Sequence, residues 1–342
     1  MKNRFMLAPL TNTQSHEDGR LSDEEFHFLT MRAKGQFGLV MTCASHIQAI
    51  GKGFSGQLGI FSDLHIPGHQ RLTKAIQSHG SLAVIQLHHA GMRSPADIIQ
   101  QAPVCPSENE ENGARALTLV EVHQLRDDFI AAAIRAQKSG YDGVEVHGAH
   151  GYILTQFISS EINHRQDEYG GTLENRTRIL FEIIDGIRES CGSEFLLGVR
   201  LSPERFGMNL LEVKTIIHRL VDEGKIDFLD LSLWDSFKLP EEEAFKNKTL
   251  LEHFTSIDYK EVRMTVAGKI RNAADVSQVL SSEVDFVTIG HSAILHHDFP
   301  ARVMADSEFK SRLTPVSEDY LREEGLSDNF ITYMKRREGF VA

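Results

Sequence analysis

Short apolar runs recur along the chain, separated by stretches whose apolar residues repeat every three to four positions. The strand-type runs are Phe5–Ala8, Leu39–Cys43, Leu82–Leu87, Gly143–His147, Phe195–Leu201, Phe228–Ser232, Met264–Ala267 and Phe286–Ile289, eight in all. Ser81 to Leu87 is almost continuously apolar, as expected of a parallel strand covered on both faces. Between the runs, Leu125, Phe129, Ala132, Ala133 and Ala136 share one helical face, with Gly140 as a C-cap. Ile179, Leu180, Ile183, Ile184 and Ile187 form a second stripe, and Val213, Ile216, Ile217, Leu220 and Val221 a third, closed by Gly224. Eight alternations predict an α/β fold, a (β/α)8 TIM barrel, over residues 1–306. A doubly wound open sheet fits less well, because no glycine-rich phosphate turn follows the first strand. Residues 307–342 are charged and weakly helical, and read as a C-terminal helical appendage outside the barrel.

Composition narrows the function classes. The 342 residues are 41% hydrophobic and 25% charged, ordinary for a globular chain. A net charge of −12 disfavours nucleic acid and anionic membranes, which need a basic stripe. Cys43, Cys105 and Cys191 are far apart and form no CxxC pair, which argues against a cysteine-held iron–sulfur or zinc site and fits a reducing cytoplasm. No run has the length of a signal peptide or a membrane helix, so a cytoplasmic location is expected.

Candidate chemistry concentrates in Asp142-Gly-Val-Glu-Val-His-Gly-Ala-His-Gly-Tyr152. An apolar strand ends in His147, and His150 and Tyr152 follow among small residues. Two imidazoles can donate to one carbonyl oxygen, and a phenol beside them can deliver a proton. The competing reading is a buried strand histidine followed by a helix-capping turn. Other polar or glycine signals fall where a barrel puts its strand ends: Pro9-Leu10-Thr11, Ala44, Gln86, Gly268-Lys269 and Gly290-His291. Glycines that open helices after strands seven and eight suit a phosphate. Gln86 offers a donor and an acceptor to a heterocycle edge. Arg200 lies inside an apolar strand and needs an anionic partner, either a ligand or an Asp or Glu within the barrel. Glu108–Arg115 reads as a polar loop between strand three and its helix. Gly51-Lys-Gly-Phe-Ser-Gly56 matches GxGxxG but lacks the strand–helix context and reads as a flexible loop. His88–His89 and His296–His297 resemble metal ligands, yet neighbours on an extended chain point opposite ways, and no metal is expected.

Several longer motifs give a resemblance to a known family. They are Asn3-Arg-Phe-Met-Leu-Ala-Pro-Leu-Thr11, Gln86-Leu-His-His-Ala-Gly91, His147-Gly-Ala-His-Gly-Tyr152 and Asn163-His-Arg-Gln-Asp-Glu-Tyr-Gly-Gly-Thr-Leu-Glu-Asn-Arg176. From Asn3 to about Ala305 the chain resembles the old yellow enzyme family of FMN-dependent ene-reductases. The resemblance implies FMN at the C-terminal mouth of the barrel, with NAD(P)H as co-substrate. Pro9, Leu10 and Thr11 would lie against the flavin, Thr11 near N5 and O4. Ala44 and Gln86 would line its pyrimidine edge, and Arg200 would sit by N1 and O2. Gly268, Lys269, Gly290 and His291 would hold the phosphate. His147 and His150 would bind the carbonyl of an electron-poor alkene or a quinone, and Tyr152 would protonate Cα.

Four features depart from the family pattern or extend it. His291 stands where most relatives carry an arginine clamp on the phosphate, and Lys269 is the expected compensation. The family's His-Ala-Gly-Arg run reads His89-Ala-Gly-Met-Arg93, one place late. The chain enters strand one without the usual lead-in that plugs the barrel floor. Arg336-Arg337-Glu-Gly-Phe340 is similar to relatives that insert an arginine into a neighbour's active site, so a homo-oligomer is one expectation. Demethylases and dienoyl-thioester reductases of this fold need cluster cysteines and a further domain, which this chain does not show. A Schiff-base lyase would want a lysine in a barrel strand, and none of the eight runs has one. The alternative to an enzyme is an FMN-poor barrel acting as a ligand-binding or interaction protein.

Overall fold

Each of the eight apolar runs forms a strand, because each can bury both faces, one toward the barrel axis and one toward the surrounding helices. The computed structural model describes residues 1–342 throughout. In chain order the barrel strands are β1 (Phe5–Leu7), β2 (Leu39–His46), β3 (Leu82–His88), β4 (Gly143–Gly148), β5 (Leu196–Leu201), β6 (Phe228–Ser232), β7 (Arg263–Ala267) and β8 (Phe286–Ile289). All are parallel, and β1 pairs with both β2 and β8, so the sheet closes into a barrel. The open doubly wound alternative is thereby excluded.

Strand ends differ from the apolar runs where polar residues continue the ladder. β2 and β3 extend through Ala44↔Gln86, Ser45↔Leu87 and His46↔His88, with a register shift between Met41 and Ala44. The apolar runs end at Cys43 and Leu87, but the backbone pairing continues to His46 and His88. A parallel pair of two-residue strands, Val104–Cys105 and Arg115–Ala116, ties the base of the 106–114 loop and was not legible as a pattern.

The connecting helices have local start and stop signals. Leu119–Lys138 begins with a capping box in which Thr118 accepts from the Glu121 N–H and Glu121 answers the Thr118 N–H. Leu210–Glu223 stops at Gly224, which takes the left-handed conformation at φ +62°.

Side chains fill the barrel in layers. Met6, Leu39, Met41, Val84, Phe228 and Phe286 form an apolar floor, with the two phenyl rings edge-on at 6.1 Å. These side chains close the floor of the barrel. Gly198 makes room for it: a Cβ there would lie 2.1 Å from the Phe228 ring. Two residues further along the strands comes a buried polar layer of Gln86, Glu145, Arg200, Asp230, Thr265 and Thr288. Register sets Gln86 beside Glu145, and Arg200 beside both His147 and Asp230.

The segment after residue 306 is tied to the barrel rather than hanging from it. Helices Glu318–Glu323 and Asp328–Lys335 place Leu321, Phe330, Ile331 and Met334 in the same apolar core as the barrel. Phe330 meets Phe28 edge-on at 5.2 Å. No helix is long and apolar enough to cross a membrane.

Candidate active site

β4 delivers its last side chains to the C-terminal mouth through a strained turn. His150 has φ +61° and Gly151 +71°, and the His150 N–H donates to Ser202 Oγ at 3.0 Å. A non-glycine residue in the left-handed region costs energy and persists only where its surroundings hold it. Arg205, Phe206 and Trp234, also at positive φ, line the same mouth. The short helix Ile153–Ile158 follows, and its Gln156 links two turns. The Gln156 amide donates to the carbonyls of Ala90 and Gly151, while its oxygen accepts from the Met92 N–H. Gly91 allows that approach, since a Cβ there would lie 2.2 Å from Gln156 Oε1.

That turn resolves the displaced arginine. A single 3-10 turn, Gly91–Arg93, swings Arg93 into the mouth, where it donates to the His150 carbonyl and lies 4.8 Å over the Tyr152 ring. His88 also packs edge-on with Tyr152, ring centroids 4.3 Å apart. Sequence reasoning noticed both residues but gave neither this place. Their signal was the motif itself, Gln86 through Arg93, read as a continuous unit.

One cavity of about 550 Å³ gathers nine of the expected residues. Pro9, Leu10, Thr11, Ala44 and Gln86 come from the ends of β1, β2 and β3. His147, His150 and Tyr152 come from the β4 end, and Arg200 from β5. Phe206 and the 60% exposed Trp234 were not anticipated at its rim, because they sit on loops without periodicity. Tyr333, Met334 and Arg337 of the C-terminal segment also line it, so Arg337 reaches this chain's own cavity.

The two imidazoles are not both free to meet a carbonyl. His150 Nδ1 lies 3.3 Å from His147 Nε2, and His150 Nε2 lies 2.8 Å from Ser232 Oγ. His147 Nδ1 is buried without a partner. Burial, then the neighbouring charges of His150 and His88, hold His147 well below the usual histidine range. Burial and then Arg200 and Arg93 bring His150 down to about 3. Both rings are neutral at pH 7, each with one donor and one acceptor. Burial pushes the Tyr152 phenol up, against the pull of Arg93, so it carries its proton at neutral pH.

Arg200 has the internal carboxylate that the sequence left as one of two options. Its Nε lies 3.0 Å from Asp230 Oδ2. The contact is ionic without hydrogen-bond geometry, and the Nε–H of this 5% exposed side chain has no acceptor. Arg200 also lines the cavity, and no protein hydrogen bond is made by its guanidinium.

The expected phosphate residues lie apart from that wall. Lys269, half exposed, pairs with Asp235 at 2.9 Å. Gly268 packs on Ser236, whose buried hydroxyl lacks a partner. Gly290 is open, with Ala8 and Leu10 atoms no closer than 3.6 Å to a notional Cβ. His291 meets Phe340 edge-on at 5.0 Å, and its Nδ1 is unpartnered. Burial, then Arg271 and Arg337, hold it down to about 4, leaving it neutral. The Gly51–Gly56 segment contributes Gly53, Phe54, Ser55 and Gly56 to a separate cavity of about 420 Å³.

A planar, hydrogen-bonding, anionic ligand fits this donor set. Arg200 Nε, His147 Nδ1, Ser236 Oγ and His291 Nδ1 are all buried polar atoms without protein partners, which is costly unless a ligand satisfies them.

Comparison with known proteins assigns the ligand. Residues 1–309 match the model of the NADH:flavin oxidoreductase / NADH oxidase family. The chain is 34% identical over 319 residues to a probable NADH-dependent flavin oxidoreductase, YqiG, of Bacillus subtilis (strain 168), covering 90% of this chain and 85% of that one. It is 30% identical over 317 residues to an NADH oxidase of Thermoanaerobacter brockii, covering 88% of this chain but spanning only 48% of that relative. An old yellow enzyme homologue from Zymomonas mobilis superposes with a TM-score of 0.79 at 26% identity, covering 96% of this chain and 95% of that one. The chain belongs to the NADH:flavin oxidoreductase / NADH oxidase family, as an oxidoreductase of the old yellow enzyme kind with FMN as its cofactor and NAD(P)H as its co-substrate.

Proposed function

We propose that this protein reduces the activated C=C bond of α,β-unsaturated carbonyl compounds or related electron-poor molecules such as quinones. One observation carries the reading: the Tyr152 phenol lines the cavity beside His147 and His150, and no protein hydrogen bond contributes to holding its proton. Residues that would hold the FMN ring are Pro9, Leu10, Thr11, Ala44, Gln86 and Arg200, with Gly268, Lys269, Gly290 and His291 toward the phosphate. When bound, FMN supplies a two-electron carrier that accepts hydride from NAD(P)H and passes it to the substrate's Cβ. The protein's part is positioning and proton delivery. His147 Nε2 and His150 Nδ1 face each other, and as neutral imidazoles each can turn an N–H at that position to the substrate carbonyl in place of their mutual contact. Both polarise the alkene. Tyr152 transfers its proton to Cα, and solvent reprotonates the phenolate. Trp234 and Phe206 form an apolar rim for a flat substrate.

Two anaerobic half-reactions test this. Flavin absorbance of the purified protein should bleach with NADH or NADPH and return on adding an enone. A reduced protein that is reoxidised by oxygen but by no enone, nitroalkene or quinone would remove the alkene reading and leave the family assignment untouched.

A further inference from the structure

Beneath the cavity, the polar layer of the barrel contains two carboxyl groups and one guanidinium. Glu145 and Asp230 are fully buried, and Arg200 is nearly so. Arg200 is matched to Asp230 by strand register and by the 3.0 Å contact. Glu145 instead accepts from Gln86 Nε2 at 2.7 Å, and its Oε2 has no partner. Thr265 Oγ1 lies 2.8 Å from Thr288 Oγ1, and since one hydroxyl donates to the other, a single O–H is left, which acts on Asp230 from Thr288 and not on Glu145. From the strands around Glu145, the charged groups acting on it are Arg200 on β5 and Asp230 on β6, while β3 presents the uncharged Gln86. With both carboxyls ionised this buried layer would hold one negative charge in excess. Such a charge is strongly disfavoured, and a retained proton removes it.

Gln86 connects that proton to the cavity, since it lines the cavity wall and is bound to Glu145. An ionised Glu145 can only accept, so it takes a Gln86 N–H and turns the amide oxygen elsewhere. A protonated Glu145 can donate to the Gln86 oxygen, which frees both amide N–H groups for the ligand. Donors favour an electron-rich ring edge, and an oxygen disfavours it.

We propose that Glu145 is a positioning residue whose carboxyl proton, shared with Asp230, orients Gln86 and ties the reduction of FMN to proton uptake by the polar layer. The inference rests on FMN lying in this cavity. When the flavin gains hydride from NAD(P)H, its added negative charge strengthens proton binding below it. Where Glu145 is ionised beforehand, one proton from water then forms its O–H bond; no other bond to the protein is made or broken. Burial and then Asp230 push the Glu145 carboxyl up to about 8, with Arg200 opposing. Burial raises Asp230 as well, with Arg200 again opposing. Below pH about 8 the proton is present in both flavin states and adds nothing to the pH dependence. Above it, reduction draws the proton in, and the potential falls more steeply with rising pH.

The test measures the flavin midpoint potential of the holoenzyme across this range in wild type, Glu145→Gln and Asp230→Asn. The wild type should gain slope above pH about 8, Glu145→Gln should lack that gain, and Asp230→Asn should move it to lower pH by removing the repelling charge. Superimposable curves for wild type and Glu145→Gln overturn the proposal. Infrared spectroscopy is independent of flavin content. At neutral pH the wild type should show the carbonyl stretch of a buried protonated carboxylic acid that disappears on alkaline titration; Glu25 is a second buried carboxyl raised by burial, so the Glu145 share is the part that Glu145→Gln removes, and absence of the band, or a band unchanged in that variant, also overturns the proposal. A protein that shows the band but binds no FMN would instead count against the cofactor's place in the cavity.

Discussion

Tyr152 shows how much one side chain depends on its neighbours. Its ring contacts both the His88 imidazole and the Arg93 guanidinium, so its position is set by β3 and the turn after it as much as by its own strand. Tyr152→Phe keeps that packing and removes the proton. Enone turnover should then fall by about 10²–10⁴, the usual contribution of a general acid, while flavin reduction by NAD(P)H changes little. Stopped-flow measurement of the two half-reactions checks this, and equal losses in both would take Tyr152 out of the role. His291 is a second point of contrast. It is neutral and offers a single hydrogen bond, where a guanidinium offers a charged fork. His291→Arg should therefore tighten FMN binding, on the order of tenfold for about 1.4 kcal/mol. Titration of the apoprotein with FMN gives the answer, and unchanged affinity refutes the clamp argument.

At the scale of elements, the helix Asp328–Lys335 is bound to the barrel by apolar contacts that its sequence alone did not reveal. Phe330 and Met334 are fully buried, and Phe330 packs on Phe28 of the first helix, Asp23–Lys34. Tyr333 and Met334 also face the cavity, so docking of this helix completes the cavity wall. Phe330→Ala should cost about 3–5 kcal/mol of the docking energy. Limited proteolysis should then cut within residues 307–342 well before the barrel opens, whereas simultaneous loss of both would mean that helix and barrel unfold as one unit. Much of the remaining element structure was legible beforehand. The eight strands follow from their apolar runs, and the end of the helix Leu210–Glu223 from Gly224, whereas the Thr118–Glu121 capping box emerged only in the structure. The paired segments at Val104 and Arg115 were not legible either, since two-residue strands have no period to detect.

Across the whole molecule, buried histidines dominate the acid response. His46, His69, His88, His89, His147 and His150 are all held below the usual histidine range, chiefly by burial. Unfolded, each binds a proton as pH falls through about 6.5, while the folded protein does not. Bound protons then favour the unfolded chain, so stability falls as pH drops from about 6.5 toward 4. Glu25, Glu145 and Asp230 act with the opposite sign, because burial raises them and the folded state holds their protons. The histidines outnumber them, so acidification is destabilising in net. Above pH 6.5 the histidines no longer contribute, and the loss of stability from Glu145 grows toward pH 8. Urea midpoints should therefore peak near neutrality and drop clearly at pH 5. A flat profile between pH 7 and 5 would show that these rings are solvated in the native state.

The barrel was legible in the residues alone, because continuous apolar runs and period-3.6 stripes are local patterns that survive without coordinates. The same patterns also showed which residues stand at strand ends, since a parallel barrel puts every such end at one mouth. Only the tertiary structure decided partnership. Arg200 pairs with Asp230 across thirty positions of chain, His147 and His150 engage each other rather than standing free, and Lys269 turns to Asp235. Those outcomes depend on strand register, turn geometry and the shortage of acceptors in a dry interior, and none of these is written in any single stretch of residues.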